Sequence, residues 1–143
     1  MKNYDCTLVV NSCDKYADIL DTFFELLHRF WPDLPFDIVL STESLEYKNK
    51  YFKIRNVHPQ NQNCTWTERM TDTLNSIKSN YCLFMLDDFF LYDYVKTKTV
   101  LDNLKVLKEN PNIVNFTYWP ILNDTEECIY PGFKKENNKP NIK

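Results

Sequence analysis

Asp87 and Asp88 stand side by side at the end of the run Tyr81-Cys82-Leu83-Phe84-Met85-Leu86. Adjacent carboxylates repel each other unless a cation or a proton intervenes. Hard divalent cations such as Mg²⁺ and Mn²⁺ take oxygen ligands of this kind and bridge them to phosphates. The pair therefore points to a metal–phosphate site, with two solvated loop aspartates as the plain alternative. The preceding run has no polar alternation, so it reads as a strand buried on both faces in the middle of a parallel sheet. The carboxyl end of such a strand is where open α/β sheets bind ligands.

The elements that would position this pair follow from periodicity. Thr7-Leu8-Val9-Val10 predicts a first strand, and Asn11-Ser12-Cys13-Asp14 a polar turn in which Ser12 or Asp14 caps a helix. Over 15–30 the residues Tyr16, Ile19, Leu20, Phe23, Leu27 and Phe30 recur at helical spacing, and Trp31-Pro32 ends the helix. Phe36-Asp37-Ile38-Val39-Leu40 predicts the second strand, 41–50 a charged loop, and Tyr51-Phe52-Lys53-Ile54 a short third strand. Thr65-Trp66-Thr67-Glu68 is a capping box, opening a helix expected to bury Met70, Leu74 and Ile77. A further helix, Thr97–Glu109, places Val100, Leu101, Leu104 and Leu107 on one face; Pro111 closes it, and Ile113-Val114-Asn115-Phe116 predicts another strand. Strands alternating with helices imply a three-layer α/β/α domain with a mostly parallel sheet and right-handed crossovers. It is expected to span 1–123, followed by a polar tail over 124–143.

Composition removes several classes. A net charge of −3 and a pI near 5.4 argue against a nucleic-acid partner. The chain has one glycine, Gly132, so neither a P-loop nor a dinucleotide fingerprint can be built. A receiver domain is poorly matched, because no lysine closes the strand at 113–116. The five cysteines (Cys6, Cys13, Cys64, Cys82, Cys128) contain no CxxC pair, so neither a zinc site nor a disulfide framework is indicated. Cys82 reads as a small buried hydrophobe. The start lacks the apolar core of a signal peptide and no stretch is long enough to span a bilayer, so a reduced cytoplasmic location is expected.

Single residues carry two readings each. Asp14 either meets a base edge or caps a helix. Arg69 lies in the first turn of its helix, where a cation opposes the macrodipole; that suggests a diphosphate or carboxylate partner, or an ion pair with Glu68 or Asp72. Trp66 either stacks on a base or sugar or joins the core. His28 reads as structural and His58 as a loop residue within reach of the site. Phe89, Phe90 and Tyr92 read as a lid or wall beside the acidic pair.

Taken in order, Val9-Val10-Asn11-Ser12-Cys13-Asp14, Trp66-Thr67-Glu68-Arg69 and Leu83-Phe84-Met85-Leu86-Asp87-Asp88-Phe89-Phe90 resemble the donor half of a GT-A type nucleotide-sugar glycosyltransferase. The segment from Asp87 to Phe90, followed by a helix and Trp119-Pro120, resembles a bacterial branch tied to surface polysaccharide assembly. The resemblance implies nucleotide contacts from Asn11, Ser12, Asp14, Trp66, Arg69 and Asp87, and Mn²⁺ or Mg²⁺ held by Asp88 and Asp87. It implies a nucleotide-sugar donor and a glycan or lipid-linked acceptor.

This chain departs from the family pattern twice. The metal-binding acids of the family are spaced by one residue, whereas Asp87 and Asp88 are adjacent. The family also continues into an acceptor half that supplies the catalytic base, and this chain is expected to lack much of that half. Asp124, Glu126 and Glu127 are the acids left to serve as base, so a truncated transferase is expected. The alternatives are a non-catalytic nucleotide- or metal-binding module acting with a partner, and a plain α/β domain. The Lys-rich end of the tail suits weak contact with anionic headgroups at the inner membrane face, and an incomplete sheet favours a homo-oligomer.

Overall fold

The computed structural model describes residues 4–116 and 118 of the 143. Its strands are β1 (Cys6–Asn11), β2 (Asp37–Ser41), β3 (Ile54–Val57) and β4 (Tyr81–Leu86), and its helices α1 (Ala17–Phe30), α2 (Trp66–Ser76) and α3 (Thr97–Glu109). The strands form one sheet in the order β3-β2-β1-β4, every pairing parallel. The chain falls into two compact units, residues 1–97 and 98–143. No helix among the described residues is long and apolar enough to cross a membrane.

β1 is the centre of the sheet. Leu8, Val9 and Val10 are wholly buried, which requires both faces of the strand to be covered. One face carries Thr7, Val9 and Asn11 of β1 with their neighbours Val39, Ser41 and Arg55. α2 lies along that face: Arg69 reaches Asn11, the Thr73 hydroxyl lies 2.8 Å from the Ser41 hydroxyl, and Arg55 donates to the Ser76 carbonyl at 3.2 Å. The right-handed crossover rule sends α1 to the opposite face, since β1–α1–β2 and β3–α2–β4 travel in opposite directions along the sheet. α1 buries Leu20, Phe23, Phe24 and Leu27, each worth about 1.5–3 kcal/mol of apolar burial. A short 3-10 helix over Asp14–Tyr16 leads into it.

Several expectations need correction. β4 is an edge strand that pairs only with β1 among the described residues, and its burial alternates. Cys82 and Phe84 are exposed, because α2 lies over Asn11, Ser41 and Arg55 rather than over β4; Cys82 is therefore not a buried hydrophobe. The third strand begins at Ile54, three residues later than its aromatic start suggested. Tyr51 stacks on His28 with centroids 4.1 Å apart and Phe52 packs near Phe24, so these rings serve α1 instead of the ladder. α2 buries Arg69, Met70 and Thr73, while Leu74 is 43% exposed and Ile77 lies past the helix end. The polar tethers to Asn11 and Ser41 fix this rotation.

In the second unit α3 buries Val100, Asn103 and Leu104, and Asn103 donates to the Tyr118 hydroxyl at 2.9 Å. Leu101 and Leu107 are only partly covered. Residues 113–116 form no strand: Ile113 closes a turn on Asn110 and Val114 is 92% exposed. Asp124, Glu126, Glu127, Trp119, Pro120 and the polar tail lie outside the described residues.

Candidate functional site

From β1 the chain steps outward to β2 and β3, then returns to β4 on the other side of β1. That reversal makes the crevice beyond β1 and β4 the switch point of the sheet, the place where open parallel sheets take ligands. Asn11-Ser12 and Asp87-Asp88 are the residues at its two lips.

The lips are joined. Asp87 donates its backbone N–H to the Asn11 carbonyl at 3.2 Å. The Ser12 hydroxyl donates to Asp87 Oδ2 at 2.5 Å, in a buried, charge-assisted bond. Ser12 also donates its N–H to the Ser41 carbonyl, tying the β1 turn to the end of β2. Asp87 is 8% exposed, so its carboxylate faces inward. Asp88, one residue on, is exposed, and no hydrogen bond or ion pair engages its carboxylate among the described residues.

α2 begins at this same rim. The Thr65 hydroxyl accepts the Glu68 N–H, and the Glu68 carboxylate accepts the Thr65 N–H at 2.7 Å. The Thr65 backbone and hydroxyl donors hold the Glu68 carboxyl below its ordinary pKa. The cap fixes the first turn, from which Arg69 points under the rim. Its side chain is 7% exposed; Nη2 donates to Asn11 Oδ1 at 3.4 Å, and Nη1 pairs with Glu43. Its Nε is buried, with no partner among the described residues. An orphaned buried donor costs about 1–3 kcal/mol. A cleft of about 260 Å³ opens there, lined by Glu43, Gln62, Cys64, Thr65, Trp66 and Arg69. Trp66 is 56% exposed, a cleft wall and not core.

Asp14 belongs to the opposite bank. Its carboxylate accepts the Ser44 N–H and the Leu45 N–H at 3.0 Å each and the Ser44 hydroxyl at 2.5 Å. Its own N–H donates to Glu43 Oε2 at 2.6 Å. Burial pushes the Asp14 carboxyl up, but the bonds from Ser44 and Leu45 outweigh that and hold it below its ordinary value. His58 lies behind the same segment, 3.3 Å from the Thr42 hydroxyl and 3.0 Å from Glu46.

Asn11, Ser12, Arg69 and Asp87 therefore share one hydrogen-bonded chain, Trp66 lines the cleft beside Arg69, and Asp14 joins through Glu43. The carboxylate partner of Arg69 is Glu43, not Glu68 or Asp72. Glu43 was missed in the sequence, although it lies three residues beyond the predicted strand and two beyond β2, and all strand ends of a parallel sheet meet at one rim. No group of three or more His, Cys, Asp or Glu side chains gathers among the described residues. Mg²⁺ and Mn²⁺ do not require such a cage: they keep waters and bind through one or two carboxylates plus substrate phosphates. Asp88, exposed and unengaged beside a buried Asp87, fits that donor set. Comparison with known proteins returns no match: no family model, no curated protein and no solved structure matches the chain.

Proposed function

We propose that the crevice between β1 and β4, with the cleft beside it, binds the nucleotide diphosphate of a sugar donor, and that the protein is a GT-A type glycosyltransferase acting on a glycan or lipid-linked acceptor. The observation that carries this reading is Arg69. It is a buried cation at the switch point of a parallel sheet, bonded to Asn11 and Glu43, and its side chain lines a cleft.

The cleft also suits a base edge. Glu43 supplies carboxylate acceptors and Arg69 guanidinium donors side by side, with the Trp66 ring exposed next to them. Every base edge presents a donor beside an acceptor, so this pair suits a nucleotide base without selecting among the four. Asp87 would turn its remaining acceptor capacity to a ribose hydroxyl or to the cation, and Asp88 would hold Mn²⁺ or Mg²⁺. A cation so held stabilises the charge that develops on the departing diphosphate. Removal of the acceptor proton falls to a carboxylate, a step worth ~10²–10⁴-fold; Asp124, Glu126 and Glu127 are its candidates.

Calorimetric titration with UDP and with GDP, in the presence and absence of Mn²⁺, tests the site. Binding should be strengthened by Mn²⁺ in the wild type and lose that enhancement in Asp88→Asn, with the thermal midpoint of the unliganded protein unchanged. An Mn²⁺ enhancement that survives in Asp88→Asn would overturn the metal assignment. Absence of binding by either nucleotide would overturn the donor site.

A further inference from the structure

The segment 42–46 carries Glu43, and three of its residues are bonded to Asp14, about thirty positions earlier in the chain. Both Asp14 carboxylate oxygens are committed there: Oδ1 accepts from the backbone of Ser44 and of Leu45, and Oδ2 from the Ser44 hydroxyl. The backbone N–H of Asp14 completes the ring by donating to the Glu43 carboxylate. Four bonds thus cross from one aspartate to three consecutive residues, and they stand in for the regular structure that 42–50 lacks. The far side of the segment is fastened separately by His58 to Thr42 and Glu46.

This geometry has a consequence for the cleft. Glu43 meets Arg69 with one oxygen and Asp14 N–H with the other. Its orientation is set by where the 43–45 backbone lies, and Asp14 holds that backbone. Resting on the nucleotide-site reading, we propose that Asp14 is a positioning residue: it contacts no ligand, but closes 43–45 onto the turn after β1 so that Glu43 and Arg69 stand as a matched acceptor–donor pair at the cleft. The sequence left Asp14 either at a base edge or capping a helix, and the family resemblance implied a nucleotide contact. The two roles separate under conservative substitution. Asparagine keeps a side-chain oxygen that accepts the Ser44 and Leu45 N–H groups, and its amide can donate to the Ser44 hydroxyl. A base contact made by a carboxylate would not survive that change.

The test compares wild type, Asp14→Ala and Asp14→Asn by hydrogen exchange at the Ser44 and Leu45 amides, by the NMR signal of the Arg69 Nε–H, and by UDP and GDP affinity. In Asp14→Ala both amides should exchange faster, the Arg69 signal should move or broaden, and nucleotide affinity should fall by about tenfold or more, the scale of losing charge-assisted bonds. Asp14→Asn should restore all three. The proposal is overturned if Asp14→Ala leaves the amides as protected as in wild type. It is equally overturned if affinity persists despite their release, or if Asp14→Asn binds as poorly as Asp14→Ala. If wild type binds neither nucleotide, the donor-site reading fails by itself. The exchange and Arg69 signals then decide the positioning role: both perturbed in alanine and restored in asparagine support it, and both unchanged overturn it.

Discussion

Replacing Glu43 by alanine is expected to destabilise the protein more than replacing its partner Arg69 by methionine. The two side chains are unequally buried, Arg69 at 7% exposure and Glu43 at 39%. Taking away Glu43 leaves a guanidinium sealed under the rim with its Nε already unpartnered among the described residues. Breaking a buried pair so as to strand one charge costs ~3–5 kcal/mol, and the lower end applies because Asn11 still accepts from Nη2. Taking away Arg69 instead leaves a carboxylate that water can reach and that still accepts the Asp14 N–H. Methionine fills much of the vacated space, so the loss is about 1 kcal/mol, the net worth of a partly screened hydrogen-bonded pair. In urea, where m is ~1–3 kcal/mol/M, a gap of about 2 kcal/mol separates the two midpoints by about 1 M. The double variant should fall close to Arg69→Met alone, since no stranded cation remains. The reasoning is refuted if Arg69→Met has the lower midpoint, or if the two losses simply add.

Other outcomes follow from the same contacts. Ser12→Ala strips the buried Asp87 carboxylate of its hydroxyl donor and should cost ~1.5–3 kcal/mol, read as a lower thermal midpoint. Thr65→Ala removes half of the α2 capping box and should cost about 1 kcal/mol, visible in urea denaturation; because that cap fixes the turn bearing Arg69, nucleotide affinity should fall with it. Tyr47, pushed up to about 12 by burial and by its hydrogen bond to Asp21, keeps its proton longer folded than unfolded. Its contribution is therefore intact below pH 10.0 and lost as pH rises toward 12, so Tyr47→Phe should flatten the decline in stability across that window.

Much of the frame was legible because local chemistry and tertiary structure agree. β1, α1 and β2 follow apolar periodicity, the capping box at Thr65 forms as read, and α3 has the predicted bounds. The misreadings fall where a run of apolar residues says nothing about who covers it. Tyr81–Leu86 is apolar throughout, yet among the described residues it pairs on one side only, and Cys82 and Phe84 are exposed because α2 is tethered by polar bonds to the other strands. The Tyr51 and Phe52 rings have strand propensity but pack on α1, and 113–116 is β-branched without a ladder partner among the described residues. Asn11, Ser12, Asp87 and Arg69, singled out from strand ends and a helix start, lie in one hydrogen-bonded chain. Glu43 escaped notice because it sits in a charged loop, and only the 43–45 backbone held by Asp14 brings it to Arg69.

The central claim is a nucleotide site at the switch point, and thermal-shift titration with UDP, GDP and CMP, each with and without Mn²⁺, reads it most directly. A ligand at ~100 times its dissociation constant adds about 2.7 kcal/mol to the folded state, a rise of several degrees for a domain of this size. That rise is expected for at least one of the three nucleotides with Mn²⁺, and little for any of them in Arg69→Met. A flat response of the folded wild type to all three nucleotides, or an undiminished response in Arg69→Met, would contradict it.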